Sequence, residues 1–230
     1  MLLGGWAVYA YNPYIGSFDI DCLGPIDLLE RQLNIYMSTN GYVLEPESSF
    51  GSASESWVKI VTEGATRIGE IRIDACDFEF PNRFTEDPSK ILPYSLCTRS
   101  AMIQRRTIDG ASFYVPIKEL LFLYKVKAAR DRDYLIRNGS LTGQTLEWYQ
   151  GKRDKDYSDL VALLDPGYGA LDGSHIRDII HENSLSFIVD TLPGLHQQSG
   201  VEGYCARRSV TRSHLESWTR RLLTDSGLRN

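Results

Sequence analysis

The stretch that most constrains this chain is its beginning, which places two glycines and two aspartates on either side of a short apolar segment. Apolar residues lead into Gly4-Gly5, and after a turn the chain reaches Asp19-Ile20-Asp21. Side chains two positions apart in a strand point to the same face, about 7 Å apart. A strand over residues 18–23 therefore predicts that Asp19 and Asp21 stand side by side. The alternate side chains are predicted to face the core: Phe18, Ile20 and Cys22.

These groups favour binding of a divalent cation and of phosphate. Two parallel carboxylates repel each other and are costly to desolvate without a counter-charge. A hard cation such as Mg²⁺, coordinated by both, removes that cost. The Gly-Gly pair lets the backbone approach a ligand closely, and a helix that follows it would direct N–H groups at phosphate oxygens. The competing interpretation is a tight turn followed by a solvated acidic strand.

The order Leu3-Gly4-Gly5, followed by Asp19-Ile20-Asp21, resembles the signature of the DNA polymerase β nucleotidyltransferase superfamily. In that signature an apolar residue and a Gly-Gly or Gly-Ser pair precede Asp-x-Asp. The resemblance implies an α/β fold with a nucleotidyltransferase-like mixed sheet flanked by helices. It further implies that Asp19 and Asp21 bind Mg²⁺, with two ions in the site, and that Gly4, Gly5 and Ser17 bind the nucleotide.

A third carboxylate is expected from a predicted strand pair, residues 56–62 and 67–76, which is joined by a Glu-Gly turn and preceded by a loop predicted from Glu45 to Ser56. Asp74 lies on the second strand, on the face opposite an apolar row. The superfamily uses a third strand aspartate to contact metal and to accept the proton of the attacking hydroxyl, and Asp74 is the matching residue. Asp77 is the alternative, because strand ends are uncertain by a few residues. A surface salt bridge between Asp74 and Arg72 is the competing interpretation.

A second block of motifs follows Asp109-Gly110, which is a strong hairpin signal. Its order resembles the abortive-infection type and related minimal nucleotidyltransferases, many of which are toxins of toxin–antitoxin pairs. In that branch a Pro, a Leu-Leu pair, a Lys and an Arg precede Asp-x-x-Asp-Leu. The similarity spans roughly residues 1–165. The matching residues are Pro116, Leu120, Leu121, Lys125, Arg132, Asp156, Asp159 and Leu160.

The second block implies a basic group for the leaving pyrophosphate. Lys125 and Arg132 share one face of a helix predicted from Ile117 to about Asp133. Cations near the β- and γ-phosphates stabilise the charge that develops on pyrophosphate. Asp156 or Asp159 could orient the two cations. The competing interpretation is an ordinary salt bridge between helices.

Two features depart from the superfamily pattern. Its members usually carry a helix and further residues ahead of the first strand, whereas Gly4 comes after three residues here. The segment before Asp19 also has Tyr14 and Ser17 where a basic residue is common. Weaker nucleotide binding or altered substrate choice is therefore expected.

The rest of the chain predicts a small helical region over residues 166–230, packed on a catalytic domain formed by residues 1–165. Ser174 is predicted to cap one helix, and Ser213 with Glu216 to form a capping box for the last. Four scattered cysteines without a Cys-x-x-Cys pair favour neither a disulfide framework nor a zinc ribbon. No signal peptide or membrane helix is predicted, so a reduced cytoplasm is the expected setting.

The sequence thus predicts a Mg²⁺-dependent enzyme that transfers a nucleoside monophosphate from an NTP to a hydroxyl of RNA, protein or a small molecule. A cognate antitoxin protein is a further expected partner, and no membrane partner is expected. One alternative is a catalytically inactive protein that keeps the fold and binds a partner. A metal-dependent nuclease is less favoured, since it usually places a lysine close to the acids and Asp74 has only Arg72 nearby.

Overall fold

The computed structural model describes residues 1–45, 54–139 and 141–228. The chain forms two compact units, Met1–Pro81 with Pro93–Pro116, and Asn82–Leu92 with Ile117–Asn230. The first unit contains a mixed β-sheet and the second is helical. The prediction of an α/β fold with a mixed sheet and C-terminal helices is therefore confirmed. The division at residue 165 stays a prediction.

The first unit is built on a four-stranded sheet with the strand order β1-β4-β3-β2. β1 runs parallel to β4, while β3 is antiparallel to both of its neighbours. The parallel pair brings the acidic strand beside β4. The strands are β1 (Asp19–Gly24), β2 (Val43–Glu45), β3 (Ser54–Glu63) and β4 (Thr66–Asp77).

Two predictions about this sheet need correction. Phe18 does not face the core; it precedes β1 and is 88% exposed. Val43–Glu45 forms a short strand, although a loop was expected to begin at Glu45. The centre of that loop, residues 46–53, lies outside the described residues.

One face of the sheet is apolar and forms the core of the first unit. Trp57, Ile73 and Ala75 are buried there with Met37. The helix α2 (Ile26–Thr39) supplies Met37, begins after Pro25 and is followed by Asn40. Ile20, Cys22 and Tyr42 pack against this cluster, which confirms the prediction for Ile20 and Cys22.

A separate two-stranded ribbon, β5 (Ile103–Ile108) and β6 (Ala111–Pro116), completes the first unit. Asp109 and Gly110 both have positive φ, 47° and 84°, as a type I′ turn requires. The hairpin prediction is confirmed. Leu2 N–H donates to the Tyr114 carbonyl over 2.9 Å and Leu2 also pairs with Cys22, so the ribbon and β1 flank residues 2–3.

The second unit is built around two long helices. Lys118, Leu120 and Leu121 begin a run of buried residues in the first of them, and Tyr157 to Leu164 are mostly buried in the second. Shorter helices and 3₁₀ turns follow. The helices are α3 (Lys118–Arg137), α4 (Gly143–Leu164), α5 (Gly173–Glu182), α6 (Val201–Arg208) and α7 (Arg212–Asp225).

Both predicted caps are wrong by two residues. Asp172, not Ser174, caps α5, since its carboxylate accepts from Ser174 N–H over 2.9 Å. Thr211, not Ser213, caps α7 and forms a capping box with His214. Asp, Thr and Ser are all favoured N-cap residues, so residue type alone does not decide between neighbouring candidates. Along the described parts of the chain, no helix combines the length and apolar character needed to cross a bilayer.

Candidate functional site

A row of polar side chains crosses the sheet of the first unit on the face opposite the apolar core. The strand registers place Asp21 opposite Asp74, Asp74 opposite Ser56, and Ser56 opposite Glu45. Paired residues in neighbouring strands point to the same face. The row therefore presents three carboxylates and one hydroxyl.

Asp21 and Asp74 form the centre of this row. Their strands are direct neighbours, and adjacent strands lie about 4.8 Å apart. Burial raises the pKa of Asp74, and the negative charges of Asp21 and Asp19 raise it further. The Ser56 hydroxyl, which donates to Asp74 Oδ1 over 2.5 Å, and the charge of Arg72 act in the opposite direction. The carboxylates are thus close enough to repel each other.

Gly4 lies directly against Asp21. A Cβ added to Gly4 would come within 1.7 Å of Asp21 Oδ2, and Gly4 has a φ of +57°. Leu3 N–H also donates to the Asp21 carbonyl over 2.8 Å. Gly4 is the first residue of the helix α1 (Gly4–Tyr11), and a larger residue there would overlap the Asp21 side chain and adopt an unfavourable φ. The first turn of a helix has N–H groups without intrahelical acceptors, and in α1 this turn lies beside a carboxylate.

The remaining predicted residues of the first unit have clear places. Asp19 is opposite Arg72 on the same face as Asp21. Gly5 is buried in the first turn of α1, and Ser17 is half-buried just before β1.

Asp77 points away from this face. It is three positions beyond Asp74, is opposite Gly24, and accepts the Glu79 N–H over 2.7 Å. The geometry therefore places Asp74, and not Asp77, beside Asp21. Arg72 makes a two-pronged contact with Glu45, at 2.6 and 3.2 Å, which differs from the expected surface salt bridge with Asp74.

The chemistry of the row suits a hard cation that arrives with a phosphate ligand. Asp19, Asp21 and Asp74 offer oxygen donors alone, which is the set that Mg²⁺ prefers. Among the residues that the structure describes, no group of three or more His, Cys, Asp or Glu side chains is arranged to hold a metal by itself. Mg²⁺ is commonly held by one or two carboxylates plus substrate phosphates, so two facing aspartates are sufficient on the protein side.

Lys125 and Arg132 belong to the second unit and lie in a network of ion pairs. Lys125 is 8% exposed, and its Nζ is 3.0 Å from Asp156 Oδ1 and 2.7 Å from Asp159 Oδ2. Arg132 pairs with the second oxygen of Asp156. Lys155 Nζ is 3.0 Å from Asp159. Asp156 and Asp159 therefore hold the two cations in place, and the role of these cations toward pyrophosphate stays a prediction.

Two members of the polar row were not anticipated from the sequence. Ser56 was expected only as the start of a strand, and Glu45 as the start of a loop. Counting residues back from the Glu63-Gly64 turn predicts which residues of β3 and β4 are paired. An irregularity between Val61 and Thr62 shifts this register, so that the count no longer gives the partner of Ser56. An irregularity of this kind leaves no reliable sign in the sequence.

No protein-family model matches the sequence, and neither does any curated protein.

Proposed function

We propose that the protein is a Mg²⁺-dependent nucleotidyltransferase that moves a nucleoside monophosphate from an NTP to a hydroxyl group. One observation carries the proposal: Asp21 and Asp74 face each other on neighbouring parallel strands, and Gly4 lies against Asp21 at the start of α1. This combination joins carboxylates that attract a cation to N–H groups that attract phosphate.

Asp19, Asp21 and Asp74 would hold Mg²⁺, which when bound neutralises oxygens of the triphosphate. Gly4, Gly5 and Ser17 would bind the triphosphate from the α1 side. Asp74 accepts the proton of the acceptor hydroxyl, and its raised pKa makes it a better base than an ordinary aspartate. The hydroxyl oxygen bonds to the α-phosphorus, the bond to the β-phosphate oxygen breaks, and pyrophosphate leaves.

Lys125 and Arg132 are proposed to stabilise the leaving pyrophosphate. Arg132 is the more accessible of the two, with a quarter of its side chain exposed. The resemblance to abortive-infection nucleotidyltransferases suggests a toxin of a toxin–antitoxin pair as the biological setting. The acceptor classes are RNA, protein and small molecules.

The test is label transfer. The protein is incubated with each α-labelled NTP, Mg²⁺ and total RNA, and the products are separated. Asp21→Asn and Asp74→Asn are expected to reduce transfer by at least about 100-fold, the lower end for loss of a general base. Glu70→Gln is the matched control, because Glu70 lies on β4 on the same face, four positions before Asp74, and is half-buried and paired with Arg67. Equal losses in Glu70→Gln and Asp74→Asn would contradict the assignment.

A non-catalytic binding protein is the second candidate. One observation favours it: the charge of Lys125 is already balanced by Asp156 and Asp159. In this case neither label transfer nor Mg²⁺-dependent nucleotide binding is expected. Fragmented RNA in the same reaction would instead indicate a nuclease.

A further inference from the structure

One face of the β5–β6 ribbon is exposed over the two cross-strand pairs nearest the turn, whereas Ile103 and Pro116 at its base are covered. Alternation in β5 and β6 puts Arg105, Thr107, Ser112 and Tyr114 on this face, and all four are exposed. Tyr114 is 52% exposed although it is a large aromatic residue. The register pairs it with Arg105, whose guanidinium lies 5.7 Å from the centre of the Tyr114 ring.

The opposite face of the ribbon packs on α1. Arg106 lies 4.5 Å above the ring of Tyr11, the last residue of α1, and Gln104 hydrogen-bonds to the Tyr11 hydroxyl. The Tyr11 hydroxyl donates to the Pro116 carbonyl over 2.6 Å. These contacts fix the ribbon, so that the Arg105–Tyr114 face points outward.

The ribbon carries positive charge on a chain that is negative overall. Residues 103–116 contain two arginines and one aspartate, a balance of +1, whereas the whole chain has a net charge of -5. Within the described ranges, neither Arg105 nor Arg106 forms an ion pair with a carboxylate. By contrast, Arg72 and Arg132 are both paired with carboxylates. The charge of Arg105 is therefore available to an anionic ligand.

The ribbon is also attached directly to the candidate site. Tyr114 accepts the Leu2 N–H, and the next residue, Leu3, donates to the Asp21 carbonyl. Two strand spacings, about 10 Å, therefore separate the backbone of β6 from that of β1. The helix α1 makes a second connection, since it starts beside Asp21 and ends under Arg106.

We propose that the Arg105–Tyr114 face binds a single-stranded polynucleotide. A base stacks on the Tyr114 ring, Arg105 contacts a phosphate, and the hydroxyls of Thr107 and Ser112 accommodate the sugar–phosphate backbone. Proteins that bind single strands combine exposed aromatic rings with basic side chains, because every base has a face that can stack and every nucleotide carries a charged phosphate. Tyr114 and Arg105 provide this combination. Resting on the proposed function, this inference names the acceptor as a polynucleotide hydroxyl.

The test measures binding without chemistry. Fluorescein-labelled U12 and dT12 are titrated with the full chain in EDTA without NTP, at several salt concentrations between about 50 and 200 mM. Tyr114→Ala is expected to weaken binding by about tenfold, the effect of losing one base stack. Arg105→Ala is expected to weaken binding and to reduce the slope of log K against log salt by about 0.7, the value for one phosphate contact of a single strand.

Two exposed residues of the same unit provide matched controls. Tyr36→Ala removes an exposed tyrosine from α2, and Arg67→Ala removes an exposed arginine from β4. Both are expected to bind like the wild type. Equal binding of U12 and dT12 supports recognition of base and phosphate alone, and tighter binding of U12 adds recognition of the 2′-hydroxyl.

Several results would overturn the inference. They are absence of binding in the wild type, equal losses in Arg67→Ala and Arg105→Ala, and Tyr114-dependent capture of a protein in place of oligonucleotide. The two proposals also fail separately. Oligonucleotide binding without label transfer would contradict only the proposal of a transferase. Transfer to a small hydroxyl acceptor without oligonucleotide binding would contradict only the proposal of a binding site on the ribbon.

Discussion

Each unit of this protein contains a pair of neighbouring aspartates, and the two pairs are compensated in different ways. In the second unit, Asp156 and Asp159 lie one turn apart on α4 and share the charges of Lys125, Arg132 and Lys155. In the first unit, Asp21 and Asp74 face each other across two strands, and burial, together with the charge of Asp21, raises the pKa of Asp74.

This difference indicates that the Asp156–Asp159 cluster joins helices, whereas the Asp21–Asp74 pair is suited to binding a ligand. A buried carboxylate with two cationic partners gains from its neighbours, and removal of one partner leaves charges exposed to a low dielectric. Two facing carboxylates instead repel each other, and a bound cation would relieve this repulsion. Perturbed acidic groups of this kind are more frequent at functional sites than elsewhere.

The largest expected effect comes from breaking the compensated pair. Asp156→Ala removes the partner that Lys125 and Arg132 share, and it should lower the free energy of unfolding by about 3–5 kcal/mol. Urea denaturation followed by circular dichroism measures the change. Glu216→Ala, which breaks an exposed pair with Arg220, should cost less than about 1 kcal/mol. If both variants lost a similar amount, the network would not be the compensated cluster described above.

An intermediate effect is expected where the backbone meets the repelling pair. Gly4→Ala introduces a Cβ that overlaps Asp21 Oδ2 at a positive φ, and a destabilisation of about 2 kcal/mol is expected. The double variant Gly4→Ala, Asp21→Ala should recover the part of the lost stability that is caused by overlap with Asp21. It should not recover the part that is caused by the positive φ at residue 4. Thermal unfolding of the single and double variants separates the two parts. Additive losses would show that Gly4 and Asp21 do not touch.

The smallest expected effect is a gain in stability from relieving the repulsion. The pKa of Asp74 is raised in the folded protein above its ordinary value of 3.8, so folding is increasingly disfavoured as pH rises above 3.8, and the penalty is complete above the folded-state pKa. Asp74→Asn should therefore stabilise the protein at pH 7 by a few tenths to about 1 kcal/mol, as for like-charge cross-strand pairs. The gain should disappear as pH falls below 3.8.

The carboxyl of Asp172 is expected to affect the pH dependence of stability in the opposite direction. Hydrogen bonds from Ser174 and His175 lower the pKa of Asp172, so its contribution is present above the ordinary value and is lost as pH falls. Asp172→Ala should therefore destabilise the protein at pH 7 and less so in acid. Urea titrations between pH 3 and pH 7 compare the two variants. A loss of stability in Asp74→Asn at pH 7 would contradict the repulsion.

Local signals were sufficient for several elements. Asp109-Gly110 predicted the hairpin because only residues that accept two consecutive positive φ values fit a type I′ turn. Alternation predicted which faces Ile20, Cys22, Ile73 and Ala75 occupy. Helix caps were less certain, since Asp172 and Ser174, or Thr211 and Ser213, are all residue types that are favoured at helix N-caps.

The sequence by itself determined the acidic strand, the Gly-Gly pair before it and the alternation that puts Asp74 on a polar face, because each depends on residues close in the chain. Only the tertiary structure decided that Asp74 stands opposite Asp21, that Gly4 touches Asp21, and that Ser56 joins them. Pairing between residues that are 53 positions apart, such as Asp21 and Asp74, depends on register and packing, which local patterns do not specify. The same reason explains why the hairpin could be predicted from Asp109-Gly110, but not its position beside residues 2–3.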